Sequence, residues 1–418
     1  MLGSLVGNFI KDDWIYLKDK LVRITKQLHP TRLSELASYL LKDEAISGKL
    51  IIVATLLALI SANTALSSMY GSFLHTNLTI GLGNWTLSKD LHHWIGDGLM
   101  TFFFLVVGLE LKRELVKGEL RKIKTATLPF AAAIGGMIIP ALIYIMLNRG
   151  GDSFAGWAIP MATDIAFAVG ILALLGNRIP SSIRLFLLTL AIVDDIGAVI
   201  VIAIFYNSGI SLYMLAITFA ISALLLILQR LKLINMPIFI LTGVGVWLAL
   251  NASGVHPSIA GVIIGLLAPL TSHLSNKEPI AESLERFTIP ISTLLVVPLF
   301  AFVNTGITLS FGSLNNASAL PIASGIIAGL VVGKVLGILG ASWLVVKLRY
   351  AELPSGANWS HIVGAGFLAG IGFTVAIFVT DLAFNAEDYI VIAKLSIFIA
   401  SVVSALIGLA VLSRNKAE

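Results

Sequence analysis

The chain has 418 residues, of which 57% are hydrophobic and only 12% are charged. Soluble domains carry about 25% charged residues, so this composition excludes a soluble enzyme, a nucleic-acid-binding protein and a disordered chain as the main role. The net charge is +5, but the basic residues lie in short segments between apolar runs, where they act as topology signals. Because the chain contains no cysteine, disulfides, thiolate chemistry and soft-metal sites are excluded as well.

The first 48 residues carry charges throughout and contain no apolar core long enough for a signal peptide. Apolar residues recur there at helical spacing against lysines and arginines, a pattern typical of an amphipathic helix in the membrane interface. A short cytoplasmic helical appendage fits the same pattern. We therefore expect residues 1–48 to form a cytoplasmic or interfacial extension, to which we assign no chemistry.

About a dozen apolar runs follow, each long enough to cross a hydrocarbon core of about 30 Å. Because they are apolar on every side and do not alternate as the strands of a barrel do, the spans must be helices. The predicted spans are approximately 49–68, 92–111, 125–147, 155–175, 182–206, 211–229, 235–251, 256–270, 289–304, 321–346, 360–381 and 389–412. The predicted fold class is an all-α polytopic membrane protein with about 12 transmembrane helices.

Lysine and arginine are concentrated in every second loop. The 112–124 loop alone holds six of them, whereas the loops on the other side hold only Lys89 and Arg149. By the positive-inside rule the basic loops are cytoplasmic, and an even number of spans places both termini on that side too.

The longest outer connection, about 69–91, has alternating apolar residues on both sides of Gly83-Asn84. This pattern predicts a small extracytoplasmic β-hairpin at about 76–88. The free edges of a hairpin can pair with a second copy of the chain, so we expect a homodimer joined there. An ordinary surface loop is the alternative.

Four ionisable residues, Asp164, Asp194, Asp195 and Lys334, lie near the middle of predicted spans. Charges inside a bilayer are costly and mark functional sites. If the adjacent Asp194 and Asp195 share a cavity, their repulsion favours a site that holds a proton or a cation but not both. The cation should be small and hard, since carboxylates are hard ligands. Which of the two faces the cavity stays open, because helix neighbours point about 100° apart.

Two spans are predicted to be interrupted. Pro160 lies in the middle of one span, four residues before Asp164, and the run 363–374 in the other half of the chain is rich in glycine. Such a pair is typical of the midplane ion site of an inverted-repeat transporter, although the glycines also fit close helix packing. Asp164 could compensate half-helix N-termini. Lys334 needs a carboxylate partner, for which we expect Asp194.

The chain has no Gly-x-x-x-x-Gly-Lys-Ser/Thr motif, so we expect ion gradients and not ATP to supply the energy. We expect a transporter and not an enzyme, without a resident cofactor and without nucleotide or nucleic-acid partners. A sodium-coupled solute symporter is one alternative, but it would need aromatic or hydrogen-bonding groups in its cavity. A proton-gated channel is another, but it would not need Lys334 opposite the carboxylates.

Six segments resemble the NhaA-type bacterial sodium/proton antiporters, and the resemblance covers about 47–413. They are Val107–Glu114, Trp157–Ala168, Leu190–Ala198, Ser253–Gly261, Val332–Lys334 and Gly370–Thr374. The resemblance implies one transporter unit, 49–413, with inverted three-helix repeats at about 125–206 and 321–412, an arrangement of which this family is itself a known example. It also implies interface helices at about 49–111 and 211–304, and a dimer joined through the hairpin.

The family's activity implies pH-regulated, electrogenic export of Na⁺ or Li⁺ across a bacterial inner membrane, with more protons than sodium ions moved per cycle. By resemblance, Asp195 is the principal carrier of Na⁺, Li⁺ and protons, Thr163 and Asp164 assist it, and Asp194 is the partner of Lys334. The expected Na⁺ or Li⁺ ligands are Asp195, Asp194 and Thr163. Family pH sensing at the cytoplasmic mouth maps onto Glu110, Arg113, Glu114, His256 and Glu285. Segment 281–286 departs from the family's pattern, so the pH set point is not predicted.

Overall fold

The structure is a computed structural model, and it describes residues 46–414 except 83–84, 122, 177–178, 208, 272–277 and 309–318. The predicted N-terminal amphipathic helix and the Gly83-Asn84 turn therefore lie outside the described residues. The elements are α1 Ile46–Ala62, α2 Ser67–Leu74, β1 Asn77–Leu82, β2 Trp85–Asp90, α3 Leu91–Val116, a 3₁₀ turn Glu119–Arg121, α4 Ile123–Leu147, a 3₁₀ helix Asp152–Met161, α5 Ile165–Ala173, α6 Ser181–Phe205, α7 Leu212–Arg230, α8 Met236–Ala252, α9 Ser258–Leu267, α10 Ile280–Asn304, α11 Leu320–Lys347, α12 Trp359–Ala369, α13 Phe373–Ala383 and α14 Glu387–Arg414.

Several helices begin where a polar side chain caps the first free amide groups. Ser211 accepts from the backbone of Met214 at 3.5 Å, and Asn235 accepts from the backbone of Ile238 at 3.0 Å. At the start of α12, Asn358 and His361 form a reciprocal capping box. These caps set the points at which apolar chain turns into helix.

Among the described residues, eight helical segments are long and apolar enough to cross a membrane, if the 3₁₀ helix and α5 are counted together as Asp152–Ala173, and there are ten if each bent pair forms one span. The bent pairs are α1 with α2, which turn by 113°, and α12 with α13, which turn by 45°. Helices α8 and α9 are apolar but shorter. Large apolar side chains such as Phe219, Leu241 and Leu406 are exposed, a surface suited to lipid. The prediction of an all-α polytopic membrane protein is confirmed.

Glycines allow two pairs of helices to pack with their backbones in contact. A Cβ on Gly135 of α4 would lie 2.2 Å from the carbonyl oxygen of Gly337 in α11, and the reverse distance is 2.1 Å. Gly261 of α9 packs on the backbone of Thr101, and Gly265 packs on that of Gly108. The contacts follow one another in the same direction along α9 and along α3, so α9 runs parallel to α3.

Strands β1 and β2 pair antiparallel, with Asn77 opposite Asp90 and Leu82 opposite Trp85. On one face, the hydroxyls of Thr79 and Ser88 are 2.7 Å apart. The hairpin leads directly into α3, so its last residue, Asp90, is also the N-cap of that helix.

Candidate ion-binding site

The site forms where two interrupted helices meet. Residues 162–164 separate the 3₁₀ helix from α5, and residues 370–372 separate α12 from α13. The interruptions touch, because the backbone N–H of Asp164 donates to the carbonyl of Ile371 at 2.6 Å. Gly370 is required at the second break, since a Cβ there would lie 2.4 Å from the carbonyl oxygen of Leu330. The breaks leave backbone groups available inside the protein.

The carboxylate of Asp164 caps both half-helices. Oδ1 accepts from the backbone N–H of Phe167 in α5 at 3.0 Å. Oδ2 accepts from the backbone N–H of Thr374 in α13 at 3.0 Å and from its hydroxyl at 2.6 Å. One negative charge therefore faces the positive ends of two helix dipoles, which is the favourable arrangement.

Asp194 of α6 forms an ion pair with Lys334 of α11, and both side chains are completely buried. Thr163 lies at the same carboxylate, with its hydroxyl 2.5 Å from Asp194 Oδ2 and 2.8 Å from the carbonyl oxygen of Ala369. A hydroxyl has one proton to donate, so these two oxygens compete for it. Thr163 thereby connects α6 to the end of α12.

Asp195 has a different environment from its neighbour. Both of its carboxylate oxygens are buried, and neither has a hydrogen-bond partner within the described part of the chain. The carboxylates of Asp164, Asp194 and Glu110 repel it, and Lys334 attracts it. A buried carboxylate without partners is costly, and binding either a proton or a hard cation removes that cost. The arrangement is suited to exchange between the two.

The five central residues share one feature, which is that each is at most 2% exposed. They are Thr163, Asp164, Asp194, Asp195 and Lys334. Sequence reasoning singled out all five, and the structure brings them together at the crossing of the two broken helices.

A cavity of about 310 Å³ leads towards this crossing. Glu110 lines one part of it, and Asp164 and Thr374 line another. The remaining lining is largely apolar, with contributions from Phe103, Val106 and Val107. The cavity therefore connects the Glu110 end of α3 with the half-helix termini, and it stops short of the Asp195 carboxylate.

Beyond Glu110, α3 and α10 carry a group of charged side chains, here called the charged cluster: Arg113, Lys117, Glu282 and Glu285. Arg113 Nη1 donates to Glu285 Oε2 at 3.3 Å, and Lys117 Nζ donates to Glu282 Oε1 at 3.0 Å. Glu110 interacts electrostatically with Arg113, Glu114 and Glu285. Four of the predicted pH-sensing residues thus lie together.

His256 does not belong to this group, so the prediction that it shares one mouth with Glu110, Arg113, Glu114 and Glu285 is wrong. Its Nδ1 lies 2.8 Å from the hydroxyl of Ser258, and its ring packs edge-on against Phe378 at 5.1 Å. Since α9 runs parallel to α3 and Gly261 packs on Thr101, His256 lies beyond Thr101, away from Glu110. Sequence distance could not reveal this direction of packing.

Two further features escaped sequence reasoning. Thr374 binds Asp164, a contact that the sequence analysis did not predict, although Thr374 ends one of the segments that resemble the antiporter family. Lys394 of α14 forms an ion pair with Asp381 of α13 at 2.7 Å and lies 3.5 Å from Asn304 Oδ1. Asp381 and Lys394 both lie near the ends of predicted spans. A charge there can reach water, so the sequence offered no reason to expect an ion pair between them.

Buried carboxylates at the crossing of two broken helices, in a bundle of apolar helices, define the class of membrane ion transporters. Comparison with known proteins gives the family. The family model "Na+/H+ antiporter 1" matches residues 38–412, so the chain belongs to this Na⁺/H⁺ antiporter family.

Three relatives illustrate the likeness. The chain is 46% identical to "Na(+)/H(+) antiporter NhaA 1" of Clostridium beijerinckii over 371 residues, which is 88% of this chain and 93% of that protein. It is 44% identical to "Na(+)/H(+) antiporter NhaA" of Psychrobacter cryohalolentis, covering 87% of this chain and 91% of the relative. It is also 44% identical to the NhaA antiporter of Pseudomonas putida, covering 88% and 94%. The likeness therefore extends over nearly the whole of each protein.

Proposed function

We propose that this protein is a Na⁺/H⁺ antiporter that exports Na⁺ or Li⁺ in exchange for a larger number of protons. The single observation that carries the proposal is the buried Asp195 carboxylate, which lacks a hydrogen-bond partner among the described residues. Family membership supports the same reaction. A solute symporter is not favoured, because the family model that matches the chain and the relatives described above are those of Na⁺/H⁺ antiporters.

The proposed cycle is a competition at Asp195. On one side of the membrane the Asp195 carboxylate takes up a proton, and on the other side it gives up the proton and binds Na⁺ with help from Thr163 and Asp194. This step moves one proton per Na⁺, and Lys334, which gains and loses a proton in the same cycle, supplies the further one. Asp194 is held by Lys334, and the carboxylate of Asp164 keeps the half-helix termini in place. Proton and cation cannot occupy one carboxylate together, so each must displace the other.

For the membrane arrangement we propose twelve spans: the eight long helices, the two bent pairs and the shorter α8 and α9. Inverted repeats are supported by the order of elements, since a helix, a broken helix and a helix occur twice. The first set is α4, the 3₁₀ helix with α5, and α6; the second is α11, α12 with α13, and α14. Both termini would be cytoplasmic, in a bacterial inner membrane.

We also propose a homodimer joined through the β-hairpin, because both of its strands have free edges in this two-stranded sheet. Membrane lipid would cover the exposed apolar helix faces. No resident cofactor is proposed, and Na⁺, Li⁺ and protons are cargo.

We propose that pH regulation involves Glu110, Arg113, Glu114 and Glu285, which lie where the cavity lined by Glu110 begins. Partial burial and the mixed charges make such a group sensitive to proton uptake. His256 lies apart from these residues.

The test is Na⁺- or Li⁺-dependent proton movement in everted membrane vesicles that are acidic inside. The parent protein should release protons from the lumen on addition of Na⁺ or Li⁺, and a lumen-positive potential should accelerate exchange, because more positive charge leaves than enters. Asp195→Asn should abolish exchange, since an amide keeps the size but neither releases a proton nor carries a negative charge.

The matched control is Asp388→Asn, which makes the same chemical change at an exposed position at the start of α14. It should transport like the parent protein. Robust exchange by a correctly folded Asp195→Asn variant would contradict the assignment of the carrier, and an absence of Na⁺- and Li⁺-dependent proton movement in the parent protein would contradict the antiporter function itself.

A further inference from the structure

Three histidines and one aspartate lie together where the β-hairpin joins α3, far along the chain from the carboxylates of the ion-binding site. They are His75, Asp90, His92 and His93. His75 directly follows α2, Asp90 ends β2, and the other two belong to the first turn of α3. The antiporter cycle uses none of these four residues.

Asp90 is the centre of this group. Its Oδ1 accepts from the backbone N–H of His93 at 2.9 Å and lies 2.6 Å from Nδ1 of the same residue. Its Oδ2 lies 3.2 Å from Nδ1 of His75. Partial burial acts to raise the pKa of Asp90, but the hydrogen bonds from His93 and His75 outweigh it and bring the pKa down to about 2.

The ligand atoms of Asp90, His92 and His93 all lie within 4.8 Å of one another. The rings of His92 and His93 approach edge to face with their centroids 5.7 Å apart. Imidazole nitrogens with one carboxylate oxygen form a donor set preferred by Zn²⁺ and similar divalent transition metals, whereas Na⁺, Mg²⁺ and Ca²⁺ prefer oxygen.

We propose that Asp90, His92 and His93 bind a divalent transition metal ion, with Zn²⁺ as the reference ion, and that His75 orients the Asp90 carboxylate. Three protein ligands leave a coordination position for water or for a further protein group. The site is reachable, since the side chains of His75 and His93 are 73% and 61% exposed.

The charged side chains near the proposed site do not prevent a divalent cation from binding. His92 interacts with Asp381, which attracts a cation, and with Lys394, which repels one, but these two residues are already paired with each other at 2.7 Å. The net charge that a metal ion meets is therefore set mainly by Asp90. Because histidine binds metal only when neutral, affinity should fall as the solution is made more acidic.

A bound ion would have a structural consequence. Two of its ligands lie on α3 and the third ends the hairpin, while His75 connects the same carboxylate to the chain that follows α2. Metal binding would therefore fix the hairpin against the beginning of α3. The site is independent of the exchange mechanism, and a failure of either proposal leaves the other standing.

The test measures the affinity for Zn²⁺ by isothermal titration calorimetry. Tag-free, full-length protein in detergent is titrated with Zn²⁺ alone. The expected result is one saturable site per chain that weakens at least about tenfold in His93→Ala and in Asp90→Asn. The matched control is His256→Ala, which also removes one histidine and should bind Zn²⁺ as the parent protein does. Unchanged affinity in the folded double variant His92→Ala/His93→Ala would overturn the proposal.

A second measurement needs no variant. Diethyl pyrocarbonate modifies accessible histidines, and mass spectrometry shows which ones react. Saturating Zn²⁺ should protect His92 and His93 severalfold while leaving the modification of the half-buried His256 unchanged. Equal modification of His92 and His93 with and without Zn²⁺, or a parent protein without saturable Zn²⁺ binding, contradicts the site.

Discussion

The candidate ion-binding site and the charged cluster each contain a pair of opposite charges in contact, yet the surroundings of the two pairs differ greatly. Lys334 and Asp194 are fully buried, whereas Lys117 and Glu282 are 52% and 47% exposed. In the interior, removing either partner leaves a charge that water cannot reach. At the surface, water and salt replace a lost partner at little cost.

The comparison shows that similar ion pairs can serve opposite purposes. The interior pair fixes geometry, because neither charge is stable alone. The exposed Lys117–Glu282 pair can lose one partner at little cost, which suits the pH response proposed for this region. Three sets of substitutions test this difference, beginning with the interior.

Lys334→Met should have the largest effect on stability. It leaves the Asp194 carboxylate buried and unpaired, which typically costs about 3–5 kcal/mol. The free energy of unfolding, measured by SDS titration in mixed micelles, should fall accordingly. The double variant Lys334→Met/Asp194→Asn removes the orphaned charge and should recover a large part of the loss. Equal stability of the single variant and the parent protein would mean that water reaches the pair.

Asp164→Ala should have an intermediate effect. It removes three hydrogen bonds that cap two half-helices, and the loss of one helix cap alone costs about 0.5–2 kcal/mol. Thr374→Val removes only the hydroxyl bond, so about 1 kcal/mol is expected. The same SDS titration measures both. If Thr374→Val proved the more damaging of the two, the shared carboxylate would not be what holds the crossing together.

Lys117→Ala should have the smallest effect. Its bond to Glu282 is exposed, and such pairs contribute about 0.2–1 kcal/mol. A double-mutant cycle with Glu282→Ala, performed at low and at high salt, measures the coupling between the two. The coupling should disappear at high salt because the charges are screened. A large coupling that survives salt would place this pair with the interior ones.

Much of the fold could be predicted from hydropathy, because lipid demands long apolar helices. Bends could not. The predicted span 49–68 is two helices that meet at 113°, with Asn63 at the end of the first donating to the carbonyl of Ile307 at 2.7 Å. The span predicted at 289–304 belongs to a helix that begins at Ile280. The prediction began too late because Glu282, Glu285 and Arg286 lower the hydropathy of the first turns, which are nevertheless helical.

The four charged residues of the site were predictable because a charge in the middle of an apolar run marks a functional position, whereas Thr163 was predicted only by resemblance to the family. The groups that form hydrogen bonds with these residues were harder to predict. The bonds to Asp164 come largely from backbone N–H groups, which leave no trace in side-chain identity. Thr374 has a hydroxyl like many others in the chain. Only the folded positions of α5 and α13 show that these groups meet at one carboxylate.

The crossing of the broken helices also limits how the protein can move. Asp164 donates its backbone N–H to the second break and accepts from both half-helix termini through its side chain. Bending at either break would stretch all of these hydrogen bonds at once, so the crossing resists bending. Any movement that changes access to the carboxylates would therefore have to carry the two breaks and Asp164 along together.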